Sequence, residues 1–91
     1  MFEWDRNNLR KIHAHGICRE EAEEVLLNNP LDAHEQQAEE ERRFVYYGET
    51  RAGRLLAVVV TEREELLRVV TAYDLDAGQK QNYLTRRMRG E

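Results

Sequence analysis

The chain has 91 residues, of which 41% are hydrophobic and 35% are charged, and its formal net charge is −4. These values are typical of one globular domain, which we expect to span residues 1–91. No stretch approaches the ~18 consecutive apolar residues of a membrane span, the N-terminus lacks the features of a secretory signal, and the single cysteine excludes an intramolecular disulfide. We therefore expect a cytoplasmic protein without a membrane partner.

The charge is distributed unevenly along the chain. Residues 1–41 contain four basic and eleven acidic side chains, whereas residues 42–91 contain ten basic and seven acidic ones. A basic half is compatible with a nucleic-acid surface. Acidic surface helices followed by strands with basic ends would produce the same asymmetry, so charge alone leaves both interpretations open.

Two helices are predicted in the N-terminal half. After a short extended segment, Asp5 can cap a first helix over residues 6–15, which Gly16 ends because glycine tolerates the left-handed conformation. A second helix is expected over residues 19–28. Pro30 prevents its continuation.

Strands are predicted for most of the remaining chain. Residues 31–41 are polar and acid-rich, and we expect an edge strand and a turn there. Three more strands are expected at residues 43–47, 54–61 and 66–73. A hairpin loop over residues 48–53 and a turn over residues 62–65 would join them. Short consecutive strands with short connections predict an antiparallel meander of three to four strands in an α+β fold.

The strand over residues 54–61 is apolar on both faces, although an antiparallel sheet with one solvated face would alternate apolar and polar residues. The two N-terminal helices can cover only one of these faces. A third helix is predicted over residues 77–88, with Asp76 as its cap and Gln79 at the capping-box spacing. Either this helix or a partner chain must cover the second face, and an exposed apolar face would support a homodimer.

Two arginines near the predicted turn are the main candidates for chemistry. Arg63 is expected in the turn and Arg68 in the following strand, and their guanidinium groups suit phosphate oxygens. The alternative is that each arginine pairs with a neighbouring carboxylate such as Glu62 or Glu64. Tyr73 could stack on an unpaired base, but tyrosines also line small cores.

No metal or cofactor site is predicted. His13 and His15 lie two residues apart on a predicted helix, where side chains diverge and cannot bind one metal ion. The sequence also contains no glycine-rich phosphate loop and no metal-binding motif.

The chain resembles the BrnT family of toxins from bacterial toxin–antitoxin pairs. The resemblance rests on a series of short motifs that occur in the family's order along nearly the whole chain. These are Phe2-Glu3-Trp4-Asp5, His15-Gly16, Glu20-Glu21-Ala22, Pro30, Arg43 with Gly48, Thr61-Glu62-Arg63, Arg68 and Tyr83.

The resemblance implies a RelE-like fold and a metal-independent ribonuclease without a cofactor, which inhibits translation by cleaving RNA and is silenced by a cognate antitoxin. It implies that Arg63 and Arg68 are catalytic residues that hold phosphate. The RNA-binding residues expected on the same basis are Arg43, Tyr73, Lys80 and Tyr83. The general base is left unassigned.

The chain departs from the family pattern at three positions. Tyr73 stands where the family has arginine, Gln79 where it has glutamate, and Cys18 where it has a serine or threonine helix cap. The first two changes remove charge from the expected active face. The alternative function is therefore a catalytically weak or inactive BrnT-like protein that acts as a protein- or RNA-binding module.

Overall fold

The structure, a computed structural model, describes residues 2–38 and 41–91, and for Ala38 it describes the backbone alone. The described residues form three helices: α1, Arg6–Ala14; α2, Arg19–Leu27; and α3, Ala77–Met88. They also form five strands: β1, Phe2–Glu3; β2, Leu31–Ala38; β3, Glu41–Glu49; β4, Leu55–Arg63; and β5, Leu66–Asp74. The α+β class and the three predicted helices are confirmed. None of the helices in the described part of the chain is long and apolar enough to cross a membrane.

The strands form one mixed sheet in the order β1-β5-β4-β3-β2. The antiparallel meander from β2 to β5 is confirmed, but β1 pairs in parallel with β5, with Glu3 opposite Arg68. The prediction of three to four purely antiparallel strands is therefore wrong. A two-residue strand is too short to show the alternation from which strands are predicted. The turn expected between β2 and β3 falls at positions 39–40, outside the described residues.

The predicted loop over residues 48–53 begins too early, because β3 continues through Gly48 and Glu49. Gly48 is paired with Leu56 of β4 and lies against α2. A Cβ atom at Gly48 would come within 2.8 Å of the Val25 Cγ1 atom. Glycine is therefore required here by the close approach of the strand to the helix, rather than by a turn.

The predicted turn over residues 62–65 is also shorter in the structure. β4 continues through Arg63, which pairs with Leu66 of β5. The turn itself consists of Glu64 and Glu65, which both have positive φ angles, as the tightest hairpin turns require. Arg63 is thus a strand residue, and the prediction that it lies in the turn is wrong. The glycine and asparagine that usually mark such a turn are missing from the sequence.

β4 lies near the middle of the sheet and is buried on both faces, as its sequence predicts. The first core joins it to α1 and α2, and its fully buried members include Ile12, Ile17, Val25, Leu56, Val58 and Val60. The second core lies on the other face and includes Val45, Ala57, Val59, Val70, Leu75 and Tyr83. Because Tyr83 belongs to α3, the C-terminal helix contributes to the cover of the second face through this buried ring.

A β-bulge between β4 and β5 sets the direction of Arg68. Val59 pairs with Thr71 and Val60 pairs with Val69, so Val70 is the extra residue on β5. This shift places Arg68 opposite Thr61, whereas a regular ladder would place it opposite Glu62. Since side chains alternate between the faces of a strand, the bulge moves Arg68 to the face that Thr61 shares.

Candidate nucleic-acid interface

An open cavity of about 440 Å³ lies at the end of the sheet where β4 turns into β5. Its walls contain three arginines, two glutamates, one phenylalanine and one threonine: Arg42, Arg63, Arg68, Glu41, Glu62, Phe44 and Thr61. The regular pairing of β3 with β4 ends with Phe44 opposite Val60, and beyond it the Thr61 hydroxyl donates to the Arg42 carbonyl at 3.0 Å. The cavity is within the ~300–1,000 Å³ range of ligand sites.

Arg68 is held in this cavity by carboxylates on two sides. Its Nη2 atom donates to Asp5 Oδ2 at 3.1 Å, and its Nη1 atom lies 3.8 Å from Glu41 Oε1. The Arg68 side chain is 28% exposed, so it is partly sheltered but still accessible from the cavity. Two separate partners restrict the guanidinium more than one surface pair would, which favours a preorganised cation.

Arg43 and Arg63 lie beside Arg68. The Arg43 Nε atom donates to Glu41 Oε2 at 3.2 Å, so the Glu41 carboxylate lies between Arg43 and Arg68. Arg63 is 60% exposed, and its Nη1 atom is 3.9 Å from the Glu3 carboxylate, which makes a loose surface pair. The structure therefore brings together three of the six residues predicted from the sequence.

The arginines do pair with carboxylates, as the alternative interpretation of the sequence states, but not with their neighbours in the chain. The partners are Glu3, Asp5 and Glu41 rather than Glu62 and Glu64. Glu3 and Asp5 reach the site because β1 lies alongside β5. A sequence argument restricted to neighbouring residues could not find these partners.

Asp5 connects this site to the start of α1. Its Oδ1 atom accepts from the Asn8 backbone N–H at 2.8 Å, which caps the helix, while Oδ2 accepts from Arg68. The backbone N–H of Asn8 and the Arg68 guanidinium hold the pKa of Asp5 below its usual value. Asp5 therefore remains a carboxylate at neutral pH, and the helix cap fixes it where it orients Arg68.

Among the described residues, no group of three or more histidine, cysteine, aspartate or glutamate side chains is arranged to hold a metal ion.

A family model described as "Ribonuclease toxin, BrnT, of type II toxin-antitoxin system" matches residues 4–78. The chain belongs to the BrnT family. No match was found among curated proteins. The match begins directly after β1 and covers α1, α2, the meander and the start of α3.

Membership of the BrnT family makes this chain the toxin type of a type II toxin–antitoxin pair, with ribonuclease activity as the family's function and an antitoxin as the implied partner. The matched region contains the whole cavity, from Glu41 to Arg68. The cluster of cations around Glu41 is thus the part of this BrnT domain whose chemistry suits phosphate.

Two other predicted RNA-binding residues of this BrnT family member lie at the opposite end of β5. Tyr73 is five residues beyond Arg68, about 16 Å along the strand at ~3.3 Å per residue. Its ring centroid lies 6.5 Å from that of His15, and burial raises the pKa of its hydroxyl. Lys80 is exposed on α3. These residues are separate from the cavity.

Tyr83 is in the core, where a base has no access to its ring. It is 2% exposed, its hydroxyl donates to Glu49 Oε1 at 3.0 Å, and the Arg87 guanidinium lies 5.1 Å from the ring centroid. Burial is the main reason why the pKa of this tyrosine is raised. The alternative interpretation for tyrosines, that they line a small core, describes Tyr83.

The sequence prediction missed five residues of the cavity wall: Glu41, Arg42, Phe44, Thr61 and Glu62. The Arg42 guanidinium lies over the Phe44 ring, 5.8 Å from its centroid. Three charged residues before Phe44 at the start of a strand look like an ordinary surface pattern. A signal existed only in the combination of arginine and an aromatic residue two positions apart, which places both side chains on one face of a strand.

Proposed function

We propose that this chain is a metal-independent endoribonuclease that inhibits translation by cleaving RNA and is silenced by its antitoxin. The observation that carries the proposal is that Arg63 and Arg68 line one open cavity, and that the Glu41 carboxylate in the same wall pairs with both Arg68 and Arg43. The matched family supports the ribonuclease class. The packing of helices against an antiparallel meander is compatible with the RelE-like fold that the resemblance implies.

The reaction needs cations that bind phosphate, a base and a proton donor; this cavity contains the first two, and water supplies the proton. The 2′-hydroxyl of one nucleotide attacks the adjacent phosphorus, a new O2′–P bond forms, and the P–O5′ bond breaks. The departing O5′ atom takes a proton from water, which leaves a 2′,3′-cyclic phosphate and a 5′-hydroxyl, and the resulting hydroxide takes up the proton removed from the 2′-hydroxyl. Arg63 and Arg68 donate to the phosphate oxygens, where negative charge increases in the transition state. Glu41 lies beside Arg68 and accepts the proton of the 2′-hydroxyl.

Phosphate binding is compatible with the ion pairs that the site already contains. The contact of Arg63 with Glu3 is long and exposed, and such pairs contribute only about 0–1 kcal/mol. An RNA phosphate can therefore bind Arg63 at little energetic cost. Arg68 keeps its contact with Asp5 while it donates its remaining N–H groups to the same phosphate.

We assign Tyr73 and Lys80 to RNA outside the cleaved linkage. An RNA strand that leaves the cavity along β5 would reach Tyr73 and the start of α3 after a few nucleotides. Both side chains are accessible enough for such contacts, since Tyr73 is half-buried and Lys80 is exposed. Their role is in affinity, so their removal would weaken binding without changing the chemical step.

We further propose that residues 1–91 act as one domain, because both cores share the central strands. We place this domain in the cytoplasm, because the proposed activity inhibits translation there. A homodimer through an apolar sheet face would require α3 to leave the sheet. Ala57, Val59 and Val70 are buried on that face within the chain. The antitoxin is therefore the protein partner that we propose.

The pairing of the cations also favours a second candidate function. Arg43 and Arg68 share the Glu41 carboxylate, and Arg68 also pairs with Asp5, so each has an internal partner. A protein with this arrangement could keep the fold and bind its antitoxin or RNA without cleaving it. Tyr73 and Gln79, which lack the charge of the family pattern, favour the same catalytically weak form.

Inducible expression in bacteria distinguishes the two candidates. We expect growth arrest and RNA fragmentation with the unaltered chain, and neither with Arg63→Ala/Arg68→Ala. The double variant Arg10→Ala/Arg51→Ala removes the same charge from exposed positions outside the cavity and should remain toxic. Normal growth with intact RNA, at confirmed expression of folded protein, would contradict the ribonuclease proposal and support the binding module.

A further inference from the structure

We propose that the cavity selects guanine at the nucleotide it holds, with Arg42 stacking on the base and Glu62 accepting hydrogen bonds from its Watson–Crick edge. The inference rests on the proposed function in one respect, that RNA is the ligand. It adds a base-recognition site to the phosphate site. It also assigns a role to the cavity residues that lie next to the arginine cluster.

Arg42 provides a flat surface for a base. Its guanidinium lies over the Phe44 ring on one side, and the Arg42 side chain as a whole is 64% exposed, which leaves room for a base on the other side. Glu35 holds the guanidinium in place, since Glu35 Oε1 accepts from the Arg42 Nε atom at 2.6 Å. Unpaired RNA bases stack on guanidinium planes as well as on aromatic rings. The Arg42 guanidinium suits this contact, because the Phe44 ring packs against one of its faces and the Glu35 carboxylate fixes its edge.

Glu62 is a carboxylate in the cavity wall that is available to a ligand. It is exposed, and among residues 2–38 and 41–91 no ion pair involves its carboxylate. Glu41, the other carboxylate in the cavity, is engaged by Arg43 and Arg68. A ligand that enters the cavity therefore meets the Glu41 carboxylate, which is paired with arginines, and the Glu62 carboxylate, which can accept hydrogen bonds from the ligand.

Arg42 and Glu62 lie on the same face of the sheet. The regular pairing ends with Phe44 opposite Val60, and Arg42 and Glu62 are each two positions further out on their strands, so alternation places both side chains on the face that Phe44 and Val60 share. Both side chains line the cavity. The hydrogen bond from Thr61 to the Arg42 carbonyl keeps the strand ends close at this point. A base stacked on Arg42 thus presents its edge to Glu62.

The phosphate site is at the right place for the same nucleotide. Thr61 and Arg68 share the opposite face at the sheet end, and Arg63 also lies there because it alternates with Glu62. All of these residues line the one cavity. A nucleotide can therefore pass around the sheet end, with its base on the Arg42 side and its phosphate on the Arg68 side.

Guanine is the base whose edge fits a carboxylate best. Its N1–H and its exocyclic amino group are adjacent donors that can bind both carboxylate oxygens at once. Adenine and cytosine offer only an amino donor next to a ring acceptor, and the lone pair of that acceptor would face the negative charge. Uracil offers one N–H between two carbonyl oxygens. The carboxylate of Glu62 therefore favours guanine and disfavours the other three bases.

The test is binding of short 2′-O-methyl oligonucleotides, which lack the 2′-hydroxyl and cannot be cleaved. Four probes carry guanine, adenine, cytosine or uracil at the central position of a uracil strand, and fluorescence anisotropy reports the affinity of the full chain. We expect the guanine probe to bind about tenfold more tightly than the uracil probe. Glu62→Gln should abolish this preference, because an amide presents one acceptor and one donor.

Two further variants separate recognition from general charge effects. Glu64→Gln makes the same charge change in the turn outside the cavity, and it should keep the guanine preference. Arg42→Lys keeps the charge but loses the flat guanidinium, so it should weaken all four probes several-fold while guanine remains the best. Circular dichroism spectra and thermal unfolding establish that each variant is folded.

The outcomes distinguish this inference from the proposed function. Equal affinity for the four probes, no binding of any probe, or a guanine preference that persists in Glu62→Gln would overturn the guanine site, even if the chain cleaves RNA. Guanine preference that depends on Glu62, in a chain that cleaves no RNA, would support the site and contradict the ribonuclease proposal. Guanine preference that depends on Glu62, in a chain that also cleaves RNA, would support the guanine site and the ribonuclease proposal together.

Discussion

Arg54 joins four segments of the fold, and its removal gives a stability prediction that can be worked out from the structure. Its Nε and Nη2 atoms donate to the two Asp74 carboxylate oxygens at 2.8 and 2.9 Å, and its Nη1 atom donates to the Gly16 carbonyl at 2.9 Å. Glu21 of α2 lies 3.3 Å from the same nitrogen. The guanidinium therefore connects the residue just before β4 with the end of β5, the loop between α1 and α2, and the first turn of α2.

The expected loss for Arg54→Ala is about 2–3 kcal/mol. Hydrogen bonds to charged groups contribute about 1.5–3 kcal/mol each when buried, and the 30% exposure of this side chain reduces the sum of several such bonds. For a chain of this length, that loss corresponds to a decrease in Tm of about 10–20 °C. Arg54→Lys should recover less than half of it, because lysine cannot bind the two Asp74 oxygens as a planar fork.

Urea and thermal unfolding, followed by circular dichroism, measure this effect. Arg51→Ala is the matched control, because Arg51 is exposed in the neighbouring loop and only its backbone N–H contacts Glu24. It should change the free energy of unfolding by less than about 0.5 kcal/mol. Similar stabilities for Arg54→Ala and Arg51→Ala would refute the reasoning.

The same network predicts how stability depends on pH. The Arg54 guanidinium lowers the pKa of Asp74 from its ordinary value of 3.8, and the Cys18 backbone N–H together with Arg54 lowers the pKa of Glu21 from 4.5. Carboxyl groups with lowered pKa values stabilise the fold above their ordinary pKa and lose this contribution as the pH falls through the lowered value. The difference in stability between the unaltered chain and Arg54→Ala should therefore be smaller at pH 3 than at pH 7. An equal difference at both values would contradict the assignment.

Three further predictions concern single positions. Gly48→Ala should lower the free energy of unfolding in urea by about 1–3 kcal/mol, because the new Cβ atom would crowd Val25. Gly78→Ala in α3 is the control and should be neutral or stabilising. Equal effects of the two substitutions would contradict the close approach of β3 to α2. Glu41→Gln should lower the rate of RNA cleavage by about 10²–10⁴-fold without unfolding the chain, and an unchanged rate would remove Glu41 as the proton acceptor. Tyr83→Phe should lower the free energy of unfolding by about 0.5–1.5 kcal/mol, because the hydrogen bond to Glu49 is lost, and it should leave RNA affinity unchanged. Weaker RNA binding by the folded variant would contradict the assignment of Tyr83 to the core.

The sequence predicted the parts of the fold that depend on local patterns. The caps at Asp5 and Asp76 and the stops at Gly16 and Pro30 place the three helices to within about one residue. The two-faced apolar run of β4 correctly indicated that both faces of the sheet are covered. These signals are strong because they depend on residues close together in the chain.

The parts that were not predicted depend on contacts between distant segments. β1 is a strand only because β5 offers its edge, and a two-residue sequence contains no pattern that shows this. The bulge at Val70 cannot be recognised from the sequence, because the residues around it are apolar on both faces. This bulge nevertheless determines the face of the sheet on which Arg68 lies. The pairing of Arg68 with Asp5 spans most of the chain and follows only from that parallel pairing.

The candidate site was predicted in part for the same reason. Arg43, Arg63 and Arg68 lie at the same sheet end because consecutive antiparallel strands bring those positions together. Tyr83 was expected to contact RNA, but the apolar second face of β4 holds its ring in the core. Arg42 and Glu62 look like ordinary surface residues in the sequence, and only the end of the β3–β4 pairing places them in the cavity wall.

The most direct test of the central proposal is cleavage of RNA by the purified chain in the presence of a chelator, with the ends of the products identified. We predict cleavage with 2′,3′-cyclic phosphate ends, a rate about 10²–10³-fold lower in Arg68→Ala, and an unchanged rate in Arg10→Ala. Intact RNA at high protein concentration, cleavage that the chelator abolishes, or equal rates for the chain and Arg68→Ala would contradict a metal-independent ribonuclease centred on this arginine cluster.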